Sequence, residues 1–306
     1  MSILQAIIQG IIQGATEFLP VSSSGHLSLA QHFMGVKVDS LLFDVMLHLG
    51  TLLAVLIVYR DLILRLIVAF IRLLKDVFTG KFQWSRMSAD RRLLMMLMIG
   101  LLPLFLLFLP VPGTGHKIKD FADLWATDSD IVVEGCALIF TSVLLTLGIL
   151  ATKRKQGRGG ARAISGRRNF DVPDALAVGF AQCVAAVFPG LSRSGSTLSV
   201  GLMRGISRQT ALDYSFVIGI PAIVAAALLE LKDAMSQPIT IGIAPILAGV
   251  ITAAIVGFLA IKLLRWMVAS DKLAVFVWYT FILGIITVAI GVYEHQTGQM
   301  ITFFVS

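Results

Sequence analysis

Residues 13–35 read QGATEFLPVSSSGHLSLAQHFMG, and they place a cluster of polar groups inside an apolar N-terminal region. The cluster contains the carboxylate of Glu17, the ring of Pro20, three consecutive serines at 22–24 and the imidazole of His26. A polar group without a partner costs roughly several kcal/mol in hydrocarbon, so ionisable residues within apolar segments are usually functional. We therefore take this stretch as the centre of a candidate site.

The composition is that of a polytopic membrane protein. Hydrophobic residues make up 57% of the chain and charged residues 14%, whereas charged residues are about a quarter of a soluble domain. The first apolar run has no basic leader and no small-residue cleavage site, so we expect it to belong to the mature fold. The net charge of +7 is typical of cytoplasmic loops that face anionic lipid, and we expect no binding of nucleic acid.

Six apolar runs are long enough to cross a bilayer, which takes about 17 to 25 helical residues. These runs are 41–59, 93–109, 132–152, 210–230, 239–264 and 274–293. The segment 61–78 differs, because Arg65, Arg72 and Lys75 recur at helical spacing among leucines and isoleucines. This pattern predicts an amphipathic helix that lies in the membrane interface, with a seventh span as the alternative.

Two further apolar stretches, 3–34 and 174–206, are interrupted in the middle by proline, glycine and serine. Each stretch predicts a re-entrant pair of half-helices. The predicted fold class is therefore an all-α polytopic membrane protein with about six spanning helices and two re-entrant broken-helix hairpins.

The two broken stretches resemble each other, which indicates an internal duplication. A spacing of 169 residues relates four pairs of identical residues, and a spacing of 170 relates two more: Gln13 and Gln182, Pro20 and Pro189, Asp44 and Asp213, Gly50 and Gly219, then Gly25 and Gly195, Gly35 and Gly205. We predict one transmembrane domain, 1–306, with a first repeat at 3–152, a basic cytoplasmic loop at 153–172 and a second repeat at 173–293.

The repeats are expected to have inverted topology. Three spans separate the two broken stretches if 61–78 lies on the surface, so the stretches enter the membrane from opposite faces and meet near its midplane. The segments 60–92 and 153–168 are basic and are expected in the cytoplasm, whereas the acidic segment 110–131 is expected outside. The first broken stretch then opens outward.

The polar groups of the two broken stretches favour an anion, with phosphate as the expected one. Arg193 supplies a permanent charge and a planar fork suited to phosphate. Tight glycine turns and the helix starts that follow them offer backbone N–H groups to anionic oxygens. The candidate phosphate-binding residues are Ser22, Ser24, Gly25, Ser192, Ser194, Gly195 and Thr197.

A carboxylate and a histidine beside these elements indicate catalysis. His26 can transfer a proton or attack phosphorus itself, while Glu17 orients it or holds a divalent cation. Alternatively Ser23 is the nucleophile, activated by His26 three residues later on the same helix face. His32 and His48 lack such polar neighbours, so they are assigned structural or interfacial roles.

At these residues the chain resembles the undecaprenyl-diphosphate phosphatase family, known from bacitracin resistance. Residues 13–26, QGATEFLPVSSSGH, are similar to the family signature of Glu or Gln, three residues and Glu before a serine-rich turn. Residues 189–197, PGLSRSGST, are similar to its Pro-Gly-x-Ser-Arg-Ser motif. The resemblance covers nearly the whole chain.

The resemblance implies hydrolysis of undecaprenyl diphosphate to undecaprenyl phosphate and inorganic phosphate, which recycles the lipid carrier for cell-wall synthesis. It also implies dependence on a divalent cation, Mg²⁺ or Ca²⁺, and a location at the outer face of the bacterial inner membrane. Catalytic or phosphate-binding roles are implied for Glu17, Ser23, His26, Arg193 and Thr197. Residue 13 is Gln where many members have Glu, so Glu17 is expected to be the principal cation ligand, with Gln13 as a second.

A transporter or flippase for a polyprenyl phosphate is the alternative, because inverted repeats with broken helices are a transporter plan. His26 beside Glu17 favours the enzyme, since simple anion transport needs no acid–base pair. The expected partners are the polyprenyl diphosphate and membrane lipid, and a homodimer is left open. The acid-phosphatase type of lipid phosphatase is not favoured, because Ser199 lies where that type has a histidine.

Overall fold

The computed structural model describes residues 1–35, 41–121, 131–159, 166–234 and 241–302, and within them the chain is helical. This confirms the prediction of an all-α polytopic protein. The α-helices in these residues are α1 Ile3–Phe18, α2 Ser23–Met34, α3 Leu41–Val58, α4 Arg60–Phe78, α5 Ala89–Leu101, α6 Ile131–Gly159, α7 Val172–Val187, α8 Arg193–Met203, α9 Arg208–Ala234, α10 Ile243–Ala269 and α11 Ala274–Thr297.

Five of the six predicted spans are confirmed, with shifted ends. In the described residues, the segments long and apolar enough to cross a membrane are Ala89–Phe108, Ile131–Arg154, Arg208–Leu231, Ile243–Ala269 and Ala274–Thr297. The sixth predicted span, 41–59, forms the 18-residue helix α3. At 1.5 Å per residue α3 is about 27 Å long, near the short end of the roughly 17 to 25 residues that cross a bilayer, and its crossing of the membrane stays a prediction.

The span that begins with α5 changes its winding halfway. The α-helix ends at Leu101, and residues Leu102–Phe108 continue as a 3₁₀ helix with Pro103 near its start. Proline has no N–H to donate and its ring clashes with the preceding turn of an α-helix. The 3₁₀ segment supplies apolar side chains to the cavity described below.

The amphipathic helix predicted at 61–78 is present as α4, and its composition does not qualify it as a span. Leu66, Ala69 and Leu73 are buried and lie on one face of the helix. Large apolar side chains elsewhere on α4 are exposed, including Ile71 at 60% and Phe78 at 85%. An exposed apolar surface of this kind suits a helix that lies in the membrane interface, and that location stays a prediction.

The segment predicted as a basic loop, 153–172, is helical at its start, because α6 continues to Gly159. Residues 160–165 lie outside the described residues. At its end, the side chain of Asp171 accepts a hydrogen bond from the N–H of Asp174 at 2.9 Å and caps α7. This hydrogen bond lowers the pKa of Asp171.

The start of α7 is joined to the end of α8 by a buried carboxylate. Asp174 has no exposed surface, and its two oxygens lie 2.7 Å from Nη2 of Arg167 and 2.8 Å from Nε of Arg204. A buried carboxylate with two guanidinium partners is compensated for the loss of water. These ion pairs fix one end of the second broken stretch.

Both broken stretches are helix pairs joined by short turns that contain Pro20 and Pro189. Each second helix is capped by a serine: Ser22 Oγ accepts from the N–H of Gly25 at 3.1 Å, and Ser192 Oγ accepts from the N–H of Gly195 at 3.0 Å. The same cap at matching positions agrees with a duplication. The repeat boundaries and the inverted orientation in the membrane stay predictions.

The first turn, residues 19–22, is one residue shorter than the second, residues 188–192, and the shorter turn contains a strained residue. The longer turn contains Gly190 at φ +79°, a conformation that glycine adopts at little cost. In the shorter turn Ser22 takes φ +74°, which costs a non-glycine residue about 1–3 kcal/mol. The first turn therefore holds the second helix in place through a strained residue.

Candidate active site

The two turns lie against each other, as the sequence predicted. Ser194 Oγ, at the start of α8 just after the second turn, donates to the backbone oxygen of Leu19 in the first turn at 2.9 Å. Gly25 also faces Gly190 closely, since a Cβ built on Gly25 would lie 3.4 Å from the Gly190 Cα. Phe18 packs edge-to-face on Phe216 of α9, with ring centroids 5.5 Å apart, and so holds the end of α1 in position.

The carboxylate of Glu17 joins the two broken stretches. One oxygen, Oε1, accepts from Nη2 of Arg193 at 2.7 Å. The other, Oε2, accepts from Ser23 Oγ at 2.7 Å and from Gln13 Nε2 at 3.0 Å. The Glu17 side chain is 5% exposed, and its buried charge is compensated by the guanidinium and the neutral donors.

Arg193 reaches Glu17 across a space left by a glycine. A Cβ added to Gly219 of α9 would overlap the Arg193 guanidinium. The Arg193 side chain is 20% exposed and lines the cavity. The structure therefore brings together Gln13, Glu17, Ser23 and Arg193, four of the residues selected from the sequence.

His48 of α3 lies beside this cluster. Its Nε2 is 3.8 Å from Glu17 Oε2, and its Nδ1 is 2.8 Å from the backbone oxygen of Asp44. The assignment of His48 to a structural or interfacial role was wrong, because its side chain lines the cavity with Glu17. Asp44, His48 and Thr51 are polar residues at i, i+4 and i+7 of an apolar helix, a spacing that indicates a polar face.

His26 is directed elsewhere. Its Nδ1 lies 2.7 Å from the backbone oxygen of Ser22, and its Nε2 lies 2.7 Å from the hydroxyl of Tyr279 in α11, on which its ring stacks. A carbonyl oxygen only accepts, so Nδ1 carries the hydrogen, and in the neutral ring Nε2 accepts from Tyr279. The expectation that Glu17 orients His26, and that His26 activates Ser23, was wrong for this geometry. A catalytic role of His26 by another route stays a prediction.

The N–H groups of Gly25 and Gly195 donate to their cap serines, and the assignment of these two residues to phosphate binding stays a prediction. The first two amides of each second helix have no carbonyl within the helix to bind. They belong to Ser23 and Ser24 in α2 and to Arg193 and Ser194 in α8. A helix start of this kind favours an anion.

Thr197 lies behind the site. Its hydroxyl is 2.9 Å from the backbone oxygen of Arg193, to which it donates, and 2.5 Å from Ser215 Oγ. Thr197 has no exposed surface and does not line the cavity. These contacts support the start of α8 beneath Arg193, and the assignment of Thr197 to phosphate binding stays a prediction.

The cluster opens into a cavity of about 360 Å³. Its polar side chains are Glu17, Ser22, Ser23, Ser24, His48, Gln182, Ser192, Arg193, Ser194 and Glu230. Its apolar wall comes from Leu104, Leu107 and Phe108 of the 3₁₀ segment, from Leu191, and from α7 and α9. His48 and Glu230 were not predicted to belong to the site, and Gln182 was predicted only as the counterpart of Gln13 in the repeat. One cavity thus offers groups for an anion and a surface for hydrocarbon.

The two residues predicted to hold a divalent cation do not form a complete site by themselves. Glu17 already accepts three hydrogen bonds, and Oε1 of Gln13 is buried without a partner. Among the residues that the structure describes, no group of three or more His, Cys, Asp or Glu side chains is placed to hold a metal ion. By themselves these residues offer a cation too few ligands, so a bound cation would need further ligands from the substrate, and no step below is routed through it.

Comparison with known proteins agrees with the sequence motifs. The family model of the bacitracin resistance protein BacA matches residues 6–286. A protein of Desulfosudis oleivorans named undecaprenyl-diphosphatase is 39% identical over 95% of this chain and 99% of its own length. Proteins with the same name from Methanosphaera stadtmanae and Carboxydothermus hydrogenoformans are 34% and 36% identical, over 95% and 93% of this chain and 99% and 96% of their own lengths. The chain therefore belongs to the BacA family of bacitracin resistance proteins.

Proposed function

We propose that this protein is a phosphatase that hydrolyses undecaprenyl diphosphate to undecaprenyl phosphate and inorganic phosphate. The observation that carries the proposal is the hydrogen-bonded chain from Arg193 through Glu17 to Ser23 in a cavity with an apolar wall. Arginine binds phosphate, a carboxylate beside a hydroxyl activates a nucleophile, and the apolar wall suits a prenyl chain. The relatives named undecaprenyl-diphosphatase support this substrate.

In the first step, the terminal phosphoryl group binds to Arg193 and to the start of α2. Arg193 then exchanges Glu17 for phosphate oxygens, which leaves Glu17 with fewer donors and makes it a stronger base. Ser23 Oγ attacks the terminal phosphorus while its proton passes to Glu17 Oε2, 2.7 Å away. The bond from that phosphorus to the bridging oxygen breaks, and undecaprenyl phosphate leaves with the bonding electron pair.

In the second step, a water molecule attacks the phosphorus of phosphorylated Ser23. The bond between phosphorus and Ser23 Oγ breaks and inorganic phosphate is released. Protonated Glu17 returns the proton that it took from Ser23 to the leaving serine oxygen and then accepts the proton of the water molecule. Release of this second proton to solvent leaves Glu17 ionised for the next turnover. Donors held in place around developing negative charge make the largest contribution to catalysis of this kind, and here Arg193 is the charged one.

We place the reaction at the outer face of the bacterial inner membrane. The chain is a multi-pass membrane protein. The basic segments 60–92 and 153–168 favour a cytoplasmic location for themselves, so the first broken stretch opens on the other face of the membrane. The proposed partners are the lipid substrate and the surrounding membrane lipid. A homodimer stays an open expectation. The BacA match and the names of the relatives favour hydrolysis over the transporter alternative.

Phosphate release from undecaprenyl diphosphate by the purified protein in detergent tests the proposal. We expect equal amounts of inorganic phosphate and undecaprenyl phosphate, and we expect acid quenching to trap phosphate on Ser23. Ser23→Ala should abolish release, whereas Ser28→Ala should not, because Ser28 of the same helix bonds Glu134 and does not line the cavity. Movement of the lipid across vesicles without phosphate release would instead support the transporter.

A further inference from the structure

Gln182 of α7 is the counterpart of Gln13 in the second broken stretch, but its surroundings differ. Gln13 Nε2 donates to Glu17, four residues later, at 3.0 Å. The residue four after Gln182 is Ala186. The helix that supplies Gln182 therefore has no carboxylate at the position that binds the amide of Gln13.

The amide of Gln182 consequently has no partner. Gln182 is 1% exposed, and neither its Nε2 nor its Oε1 makes a hydrogen bond to any residue that the structure describes. Buried amides are nearly always hydrogen-bonded, because an unpartnered one loses its bonds to water without replacement. Such a group indicates a ligand only if a ligand can reach it.

Gln182 belongs to the wall of the cavity, together with Ala185, Ala186 and Ser192, so a ligand in the cavity lies next to it. Ser192 is the cap of the helix that begins with Arg193. Gln9 of α1 provides the comparison within this chain. It is also fully buried, and neither of its amide atoms has a partner among the described residues, but it does not line the cavity. The location of Gln182, rather than its missing partner alone, therefore points to a ligand.

We propose that Gln182 is a substrate-binding residue whose Nε2 donates to the phosphoryl group that is not attacked, so that the cavity prefers a diphosphate to a monophosphate. The inference rests on the proposed function, in which the terminal phosphoryl group binds to Arg193 and to the start of α2 and is attacked by Ser23. Gln182 belongs to the second stretch, on a different helix. A neutral amide adds a donor to a site that already has Arg193, without adding charge.

Gln182→Met tests the inference, because methionine has a similar length and leaves no polar atom to satisfy. We expect it to raise the KM for undecaprenyl diphosphate by about tenfold to a hundredfold, as expected for the loss of a hydrogen bond to a charged group. We expect Gln182→Glu to raise the KM further, because a carboxylate repels phosphate. Gln9→Met is the matched control and should leave the KM within about twofold of the wild type.

A binding measurement separates this inference from the proposed function. Inorganic diphosphate and inorganic orthophosphate are titrated against the wild type, Gln182→Met and Gln9→Met. The inference is supported if Gln182→Met binds diphosphate more weakly but orthophosphate as before, and Gln9→Met binds both like the wild type. This holds even if the wild type releases no phosphate, in which case only the proposed function fails. Unchanged diphosphate binding and KM in Gln182→Met, or equal losses in both variants, would overturn it.

Discussion

The guanidinium of Arg193 lies 2.7 Å from the carboxylate of Glu17, although the two residues are 176 positions apart in the chain. Each residue is next to the turn of a different broken stretch. Neither half of the chain alone contains the acid, the hydroxyl and the permanent positive charge that the proposed reaction needs. Apposition of the two turns therefore creates the site.

Gly219→Ala is expected to reduce activity while leaving the fold intact. The added Cβ overlaps the Arg193 guanidinium, which is the end of a flexible side chain and can move away from Glu17. A small displacement of a catalytic group costs about a hundredfold in rate. Phosphate release and the melting temperature in detergent are the two measurements.

Gly50→Ala is the matched control for that experiment, since Gly50 is the counterpart of Gly219. A Cβ on Gly50 would lie 2.6 Å from the backbone oxygen of Val250, which cannot move as a side chain does. Gly50→Ala should lower the melting temperature, and Gly219→Ala should not. A loss of stability in Gly219→Ala as large as that in Gly50→Ala would contradict the role given to Gly219.

Ser22→Gly is expected to stabilise the protein. Glycine at φ +74° removes strain of about 1–3 kcal/mol, while the change of an N-cap serine to glycine costs only about a few tenths of a kcal/mol. Ser192→Gly is the control, because Ser192 is a cap of the same kind at φ −63° and has no strain to lose. Thermal unfolding of both variants measures the difference, and equal shifts would show that Ser22 is not strained.

His48→Ala is expected to lower activity by about tenfold or more, because it removes the imidazole 3.8 Å from Glu17 and opens the wall of the cavity. Activity in His48→Ala equal to that of the wild type would remove His48 from the site.

Tyr279→Phe keeps the ring that stacks on His26 and removes only the hydroxyl bonded to the Nε2 of His26. If His26 acts by holding the first turn, this variant should retain activity within about threefold.

Chelation tests the divalent cation that the family resemblance implies. We expect EDTA to abolish phosphate release and Mg²⁺ or Ca²⁺ to restore it. Because Glu17 and Gln13 offer too few ligands, the diphosphate oxygens must supply others, as is usual for Mg²⁺. Cation binding measured by calorimetry should therefore be weak without inorganic diphosphate. Release at the full rate in EDTA would refute the requirement.

The fold was largely predictable because its signals are local. Apolar length located five spans, Pro20 and Pro189 marked the two turns, and the amphipathic pattern located α4. The apolar run at 41–59 likewise located α3, Leu41–Val58, to within one residue.

The site was only partly predictable, because side-chain direction depends on how helices are rotated against each other. Spacing places Ser23 and His26 on one helix face, yet Ser23 turns to Glu17 of α1 and His26 turns to Tyr279 of α11. His48 joins the site only through the packing of α3 beside α1. Glu17, Ser23 and Arg193 could be predicted from the chemistry of their side chains alone, because a charge or a hydroxyl in a broken apolar stretch indicates a site whatever the rotation of the helices.

The central claim is that residues from both broken stretches form one phosphatase site, and Arg193→Ala tests it most directly. The measurement is the rate of phosphate release from undecaprenyl diphosphate by purified protein of unchanged melting temperature. Arg60→Ala, which removes an arginine of 74% side-chain exposure outside the cavity, is the control. We predict a loss of about a hundredfold to a thousandfold in Arg193→Ala, as for removal of a donor that stabilises transition-state charge, and none in Arg60→Ala. Full activity in Arg193→Ala would contradict the account.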